Sequence, residues 1–212
     1  MHEAFTSEIL NYWLYRPEDR PTTGLPLLIF LHGSGERGQD LALVKKYGIP
    51  NLLDGKLDFP AVVLSPQCPA ETRWYDHADA VISLIKQIMI QHPIDRNRVL
   101  LTGFSMGGQG VWYIGALYPE VFAALAPVSG RIPPQDDFEK TICVLRDMPM
   151  WVQHGTADEI VPYSDSEKAV TWLRACGGHP HFTSVIGATH TQTPEHAYTE
   201  ALYEWLFAQQ RH

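Results

Sequence analysis

The stretch RVLLTGFSMGGQGVWYIGALY at residues 98–118 decides the fold. It begins with a short apolar run, passes through the glycine-flanked Ser105, and continues as a helical pattern from about Gln109 to Tyr118. A continuous apolar run of this length is typical of a strand that is buried on both faces of a parallel sheet. The stretch therefore predicts a strand that turns sharply into a helix, with Ser105 at the turn.

The same alternation of strand and helix patterns extends along the rest of the chain. Further strand patterns cover residues 27–32, 61–65, 122–130, 149–155 and 181–187, and helical patterns cover 78–92, 164–178 and 198–210. Residues 9–17 predict one more strand, antiparallel and at the sheet edge. This order predicts a single α/β domain over 1–212, with a mostly parallel central sheet and helices on both faces. The segment between Ala124 and Met150 is too short for a large lid.

Composition narrows the class of partner. The 212 residues are 45% hydrophobic and 19% charged, a balance typical of a globular protein. The net charge of −8 argues against a nucleic-acid partner, because binding phosphates requires clustered Lys and Arg. We therefore expect a small-molecule partner, and the sequence leaves open whether the chain forms a homodimer.

The cysteines and the N-terminal segment bear on location. Cys68, Cys143 and Cys176 are widely spaced, form no CxxC pair and are odd in number, which favours free thiols in a reducing compartment. The N-terminal segment lacks a basic start followed by an apolar run, and nowhere do about eighteen apolar residues follow one another. We therefore expect a cytoplasmic protein without a membrane span, in which Cys68 is a buried inert thiol.

The motif GFSMG at residues 103–107 has the pattern of a nucleophile elbow. A strand that turns into a helix through small residues exposes the serine hydroxyl at the top of the sheet. Such a serine needs an acid and then a histidine later in the chain, each in a loop after a strand. Asp158 follows the strand pattern 149–155, and His190 follows the pattern 181–187. Ser105, Asp158 and His190 are therefore the predicted catalytic residues.

Other residues compete for the roles of acid and base. Glu159 and Asp165 are the alternative acids, and His179, His181 and His196 are the alternative bases. The three histidines lie before or inside a strand pattern or at a helix start, where solvated or capping roles are expected. His32 and His154 each precede a glycine at a strand end, and we interpret both as structural hydrogen-bonding residues.

An oxyanion hole and a substrate wall are also expected near the nucleophile. The glycine-rich LHGSGERG at 31–38 follows a strand, so its backbone can approach a ligand closely. We assign the oxyanion donors to the backbone N–H groups of Ser34 and Met106, with Gly35 as an alternative that also contacts substrate. Trp74 follows the strand pattern 61–65, and with Met106 it predicts an apolar wall for the substrate, although such a tryptophan can instead cap the core.

Five segments together resemble the α/β-hydrolase superfamily: HGSGERG, GFSMGGQGVW, FAALAPVSG, HGTADEIVP and EALYEWLFAQQ. The resemblance is to its small serine esterase and predicted-peptidase branch, which is similar to the feruloyl esterase, phospholipase/carboxylesterase and dienelactone hydrolase groups. It covers nearly the whole chain from Leu27. It implies ester hydrolysis through an acyl-serine intermediate, with the catalytic roles carried over to Ser105, Asp158 and His190.

The sequence therefore predicts a serine esterase that acts on a small or medium carboxylic ester and needs neither a cofactor nor a metal. Two alternatives remain open. One is a peptidase-type serine hydrolase, and the other is a non-catalytic binding protein with the same fold.

Overall fold

The structure is a computed structural model that describes residues 1–18, 24–54 and 59–211. The predicted domain, 1–212, also includes residues 19–23, 55–58 and 212, which lie outside the described residues.

One sheet of eight strands organises the described residues. The strands are β1 His2–Phe5, β2 Tyr12–Tyr15, β3 Leu25–Leu31, β4 Val62–Pro66, β5 Ile94–Phe104, β6 Ala124–Val128, β7 Trp151–Gly155 and β8 His181–Val185. Their spatial order is β1-β2-β4-β3-β5-β6-β7-β8. The six strands β3 to β8 are mutually parallel. β1 pairs antiparallel with β2, and β2 pairs antiparallel with β4. The mostly parallel sheet was thus predicted correctly.

The additional strand predicted at 9–17 is β2, and its antiparallel orientation is confirmed. Its predicted edge position is wrong, because β1 pairs with its outer side, Phe5 opposite Tyr12. The sequence of β1, HEAF, is only four residues long and mixes polar with apolar side chains. A strand of that kind lacks the continuous apolar run by which the buried strands are recognised.

Helices cover both faces of the sheet. They are α1 Gly48–Asp54, α2 Ala78–Gln91, α3 Met106–Leu117, α4 Phe138–Thr141, α5 Tyr163–Ala175, α6 Thr193–Ala197 and α7 Glu200–Phe207. Successive side chains of β3 point to opposite faces. Ile29 belongs to the buried cluster that includes residues of α2, α3 and α5, and Phe30 belongs to the cluster that includes residues of α1, α6 and α7. The predicted closing helix at 198–210 is the shorter α7.

The carboxyl ends of the parallel strands all meet at one edge of the sheet, where ligands bind in open α/β sheets. Between β6 and β7, the described residues form only α4 and the single 3₁₀ turn Ile142–Leu145. That segment is therefore small, and it leaves the edge above β5 open.

The cysteines differ from the sequence prediction. Cys143 and Cys176 form a disulfide with their Cα atoms 5.4 Å apart, and only Cys68 is free and buried. The expectation of three free thiols is therefore wrong, because the fold brings the end of α5 against the turn after α4. The cytoplasmic prediction loses that support, since disulfides are typical of oxidising compartments. No helix in the described part of the chain combines the length and apolar character needed to cross a membrane.

Candidate active site

The turn between β5 and α3 holds Ser105 in an unusual backbone conformation, with φ 58° and ψ −117°. Residues other than glycine rarely adopt a positive φ, and such strain persists only where the surrounding structure fixes it. Here the Ser105 N–H donates to the Val128 carbonyl at 2.9 Å, and the Gln109 N–H donates to the Ser105 carbonyl at 3.0 Å. The turn is thus held by β6 on one side and by the first turn of α3 on the other.

Glycines beside Ser105 permit this sharp turn. A Cβ on Gly103 would lie 2.6 Å from the carbonyl carbon of Gly107, and a Cβ on Gly107 would overlap the Leu31 carbonyl oxygen. No side chain fits at either position, so the elbow packs directly against the end of β3. The glycines of the predicted motif are therefore required by close backbone contact.

Ser105, His190 and Asp158 form a continuous chain of hydrogen bonds. His190 Nδ1 lies 2.7 Å from Asp158 Oδ2, and His190 Nε2 lies 2.8 Å from Ser105 Oγ. Because the carboxylate can only accept, Nδ1 carries the ring proton and Nε2 accepts from the serine hydroxyl. The structure thus brings the three predicted residues together, with the imidazole arranged to take a proton from Ser105.

The alternative acids and bases occupy other positions. Glu159 Oε2 accepts from the backbone N–H of His190 at 3.2 Å, so it supports the loop but does not contact the ring. His181 lies edge-on against Trp151 and is exposed. Within residues 1–18, 24–54 and 59–211, only His190 hydrogen-bonds to the Ser105 hydroxyl.

The Asp158 side chain is fully buried, with an exposure of 0%. Burial acts to raise its pKa, but hydrogen bonds from His154, His190 and the backbone N–H groups of Val161 and Ile160 outweigh it and hold the pKa well below its usual range. The backbone donors lie 2.8 and 3.0 Å from Oδ1. Asp158 is therefore a carboxylate at neutral pH.

His154 is a structural residue, as expected. Its Nε2 lies 3.0 Å from the Val161 carbonyl and 3.2 Å from Asp158 Oδ2, and its Nδ1 lies 2.7 Å from Ser166 Oγ. Since both neighbours of Nε2 are acceptors, Nε2 carries the proton, and Nδ1 can accept from the Ser166 hydroxyl. His154 therefore ties the Asp158 loop to α5.

His32 is also structural, and its ring holds the loop after β3 by hydrogen bonds. Its Nδ1 lies 2.6 Å from the Gly33 carbonyl oxygen, and its Nε2 accepts from the Cys68 N–H at 2.9 Å. This pattern requires a neutral ring. Burial is the main cause that lowers the pKa of His32 from 6.5 to about 4. The ring thus bridges the ends of β3 and β4 as a donor on one side and an acceptor on the other.

The same contacts orient the backbone N–H of Ser34. In a trans peptide the carbonyl and the N–H point in opposite directions, so holding the Gly33 carbonyl directs the Ser34 N–H away from His32. The Gly33 N–H is bonded to the Glu36 carboxylate. Among the described residues, neither the Ser34 N–H nor the Met106 N–H has a hydrogen-bond acceptor. Both are free to bind a ligand oxygen.

A cavity of about 480 Å³ opens beside Ser105. Its wall includes the predicted Ser34 and Met106, together with Arg37, Arg73, Tyr75, Gln109, Arg131, Pro134, Ile160 and Val161. The predicted Gly35 is exposed on the outside of its turn and does not contribute to this wall.

Trp74 is also absent from the wall formed by the described residues. Its side chain is 1% exposed, and its Nε1 donates to the His32 carbonyl at 2.9 Å. The structure thus corrects the predicted substrate contact, because the indole packs between β3 and α3 and caps the core there. The flanking Arg73 and Tyr75 face the cavity instead.

Sequence reasoning missed the arginines of the cavity. Arg37 lies inside the quoted LHGSGERG segment, Arg73 adjoins Trp74, and Arg131 directly follows the strand pattern 122–130. The rule that reactive residues follow strand ends could have found all three. The sequence prediction of an apolar wall selected Trp74 instead of its neighbour Arg73.

Comparison with known proteins assigns the family. The model of the phospholipase/carboxylesterase family matches residues 58–202, and the chain belongs to that family. An uncharacterized secreted protein of Arthroderma benhamiae is 27% identical over 80% of the chain and 22% of its own length. A bifunctional acetylxylan esterase/xylanase of Neocallimastix patriciarum is 33% identical over 46% of the chain and 13% of its own length. The chain thus spans less than a quarter of these curated relatives.

Solved structures share the fold over essentially the whole chain. A thermostable esterase superposes with a TM-score of 0.81 at 28% identity, covering 100% of this chain and 63% of its own. The feruloyl esterase module from Clostridium thermocellum, complexed with sinapinate, gives a TM-score of 0.78 at 17% identity, covering 100% of this chain and 89% of its own. The architecture is therefore that of an α/β-hydrolase.

Proposed function

We propose that the chain hydrolyses small or medium carboxylic esters through an acyl-serine intermediate on Ser105. The observation that carries this proposal is the hydrogen-bonded chain from Ser105 through His190 to Asp158, at 2.8 and 2.7 Å. Membership of the phospholipase/carboxylesterase family supports the same reaction class. The strained backbone of Ser105 adds support, because strain of this kind is retained at functional sites.

In the first half of the reaction, Ser105 Oγ attacks the ester carbonyl while its proton passes to His190 Nε2. Asp158 stabilises the resulting imidazolium through Nδ1. The negative charge that develops on the carbonyl oxygen is bound by the Ser34 and Met106 N–H groups, which lack acceptors in the described part of the chain. Collapse of the intermediate breaks the ester C–O bond, and the alcohol leaves with the proton from His190.

In the second half, a water molecule takes the place of the alcohol. His190 accepts a proton from that water as its oxygen attacks the acyl carbon, and the same two N–H groups bind the oxyanion again. The bond between the acyl carbon and Ser105 Oγ then breaks, His190 returns the proton to Oγ, and the carboxylic acid leaves. No cofactor enters either half of this scheme.

The cavity favours esters of limited size. Its volume of about 480 Å³ lies in the range of ordinary small-molecule pockets. The short β6–β7 segment adds no lid that could cover a long lipid chain. One relative is a bifunctional acetylxylan esterase/xylanase and one structural neighbour is a feruloyl esterase module, so acetyl and feruloyl esters are the first substrates to test.

The decisive variant is Ser105→Ala, with Ser83→Ala as the control, since Ser83 is exposed on α2. Hydrolysis of 4-nitrophenyl acetate, 4-nitrophenyl butyrate and methyl ferulate should fall by about 10⁴-fold or more in Ser105→Ala only. Intact-mass analysis after a fluorophosphonate should detect one adduct, on Ser105.

Other outcomes separate the alternatives. A wild-type protein that cleaves peptide anilides faster than every ester would indicate a peptidase. A protein that neither reacts with the fluorophosphonate nor cleaves any ester would be a non-catalytic binding protein.

A further inference from the structure

The charge of the cavity is opposite to the charge of the protein. The chain carries 24 acidic residues against 16 Lys and Arg, for a net charge of −8. Yet the described residues that line the cavity include Arg37, Arg73 and Arg131 and no Asp or Glu. A concave site with one sign of charge concentrates the field and raises the local concentration of ligands of opposite charge. The cavity beside Ser105 is therefore built to attract anions.

The three arginines reach the cavity from three separate strand ends. Arg37 follows β3, Arg73 follows β4, and Arg131 follows β6. They are far apart in sequence, so local composition does not explain why they share one wall. The sheet topology brings them together at the edge that also carries Ser105.

Two of the guanidinium groups are fixed without being neutralised. Arg37 donates from Nε to the Ser34 carbonyl at 2.9 Å and from Nη1 to the Thr72 carbonyl at 3.2 Å. Arg131 donates from Nη2 to the Ile160 carbonyl at 2.9 Å. These acceptors are uncharged, and each guanidinium has five N–H donors, so both groups keep their positive charge and further donors.

Arg73 has no side-chain hydrogen bond to any described residue and is exposed. None of the three guanidinium groups forms an ion pair with a carboxylate in 1–18, 24–54 or 59–211. The planar fork of a guanidinium matches a carboxylate, which it binds through two parallel hydrogen bonds. The wall is therefore suited to bind an anion with that geometry.

We propose that the ester cleaved at Ser105 carries a second, ionised carboxylate, which the wall formed by Arg37, Arg73 and Arg131 binds. This inference rests on the proposed esterase function and specifies its substrate class. The carboxylate belongs either to the acyl part or to the alcohol part of the ester, and matched substrate pairs distinguish the two.

The test uses two pairs of esters, and within each pair the two members differ only in charge. For the alcohol side, 4-acetoxybenzoate is compared with 4-acetoxybenzamide, and for the acyl side, 4-nitrophenyl hydrogen glutarate is compared with 4-nitrophenyl 4-carbamoylbutanoate. We expect kcat/KM to favour the charged member of one pair by about tenfold at low ionic strength. That ratio should fall in about 0.5 M NaCl, because salt screens the attraction. The pair that responds identifies the side of the ester that carries the carboxylate.

Arg73→Gln is the best variant, because it removes one positive charge without breaking a described contact. It should lower the charged-to-neutral ratio of kcat/KM by about threefold to tenfold, and Arg73→Lys should restore part of it. The matched control is Arg96→Gln, since Arg96 is exposed near the start of β5, at the opposite edge of the sheet. It should leave the ratio unchanged.

A binding experiment separates this inference from the esterase proposal. Calorimetry with the Ser105→Ala protein should detect tighter binding of 4-acetoxybenzoate or hydrogen glutarate ester than of its amide partner, whether or not the wild type turns over. If the wild type cleaves both neutral esters at least as fast as the charged ones, the inference is overturned while the esterase function stands. If no ester is cleaved but binding remains charge-selective and depends on Arg73, the esterase function fails and the anion site stands.

Discussion

His32 offers the sharpest test of how the fold serves the reaction. Replacing it with phenylalanine keeps a ring against Trp74, which His32 contacts edge-on at 5.0 Å, but removes both hydrogen bonds of the imidazole. The buried Cys68 N–H then lacks its acceptor, and the Gly33 carbonyl loses its donor. We expect the free energy of unfolding to fall by about 2–4 kcal/mol, since an unsatisfied buried donor costs about 1–3 kcal/mol and a lost hydrogen bond about 1 kcal/mol.

His32→Phe should lower kcat by more than its loss of folding stability explains. Without the hydrogen bond from His32 to the Gly33 carbonyl, the peptide can rotate, and the Ser34 N–H then leaves the position of the proposed oxyanion hole. Loss of one oxyanion donor lowers kcat by about 10²–10³-fold. KM should change little, because this interaction is made only in the transition state.

The matched control is Ile88→Ala. Ile88 is fully buried near the end of α2, so truncation should cost about 2–5 kcal/mol of stability. Urea unfolding and steady-state hydrolysis of 4-nitrophenyl acetate are measured on both variants. If His32→Phe loses stability as Ile88→Ala does but keeps the wild-type kcat, the argument that His32 positions the oxyanion donor is refuted.

The pH dependence of stability gives an independent check on His32. Its pKa is about 4 in the folded chain against an ordinary value of 6.5, so below 6.5 the unfolded chain gains a proton that the native ring refuses. Stability that is present above pH 6.5 is therefore lost as the pH falls toward 4, by about 3 kcal/mol from this residue. The slope of unfolding free energy against pH in this window should be smaller in His32→Phe than in the wild type.

Two further predictions concern the disulfide and a buried acid. Reducing the bond between Cys143 and Cys176, 33 residues apart, should lower the free energy of unfolding by about 3–4 kcal/mol. Cys143→Ser should be insensitive to the reductant, and three reactive thiols in the untreated, denatured wild type would contradict the pairing. Burial raises the pKa of Glu36 above 4.5, so its native carboxyl favours the proton and stability is lost as the pH rises through the raised pKa. Glu36→Gln should therefore gain melting temperature relative to the wild type as the pH rises, and parallel profiles would refute this.

The local sequence pattern was sufficient to predict an element wherever a segment is apolar along its whole length. The apolar runs at 27–32 and 98–103 could be recognised as strands because both of their faces lie inside the protein. The order of Ser105, Asp158 and His190, each after a strand, placed them at one edge of the sheet, where the structure connects them by hydrogen bonds. β1 was not predicted because its four residues, HEAF, lack a continuous apolar run.

The sequence by itself determined the strand–elbow–helix unit and the residues of the hydrogen-bonded chain, because those depend on local spacing and on the direction of parallel strands. Only the tertiary structure decided that Trp74 turns into the core while Arg73 faces the cavity, since neighbouring side chains in a loop have no fixed periodicity. It also decided the pairing of Cys143 with Cys176 and the meeting of three arginines beside Ser105. These contacts join residues far apart in the chain, so they depend on how the helices and loops pack on the sheet.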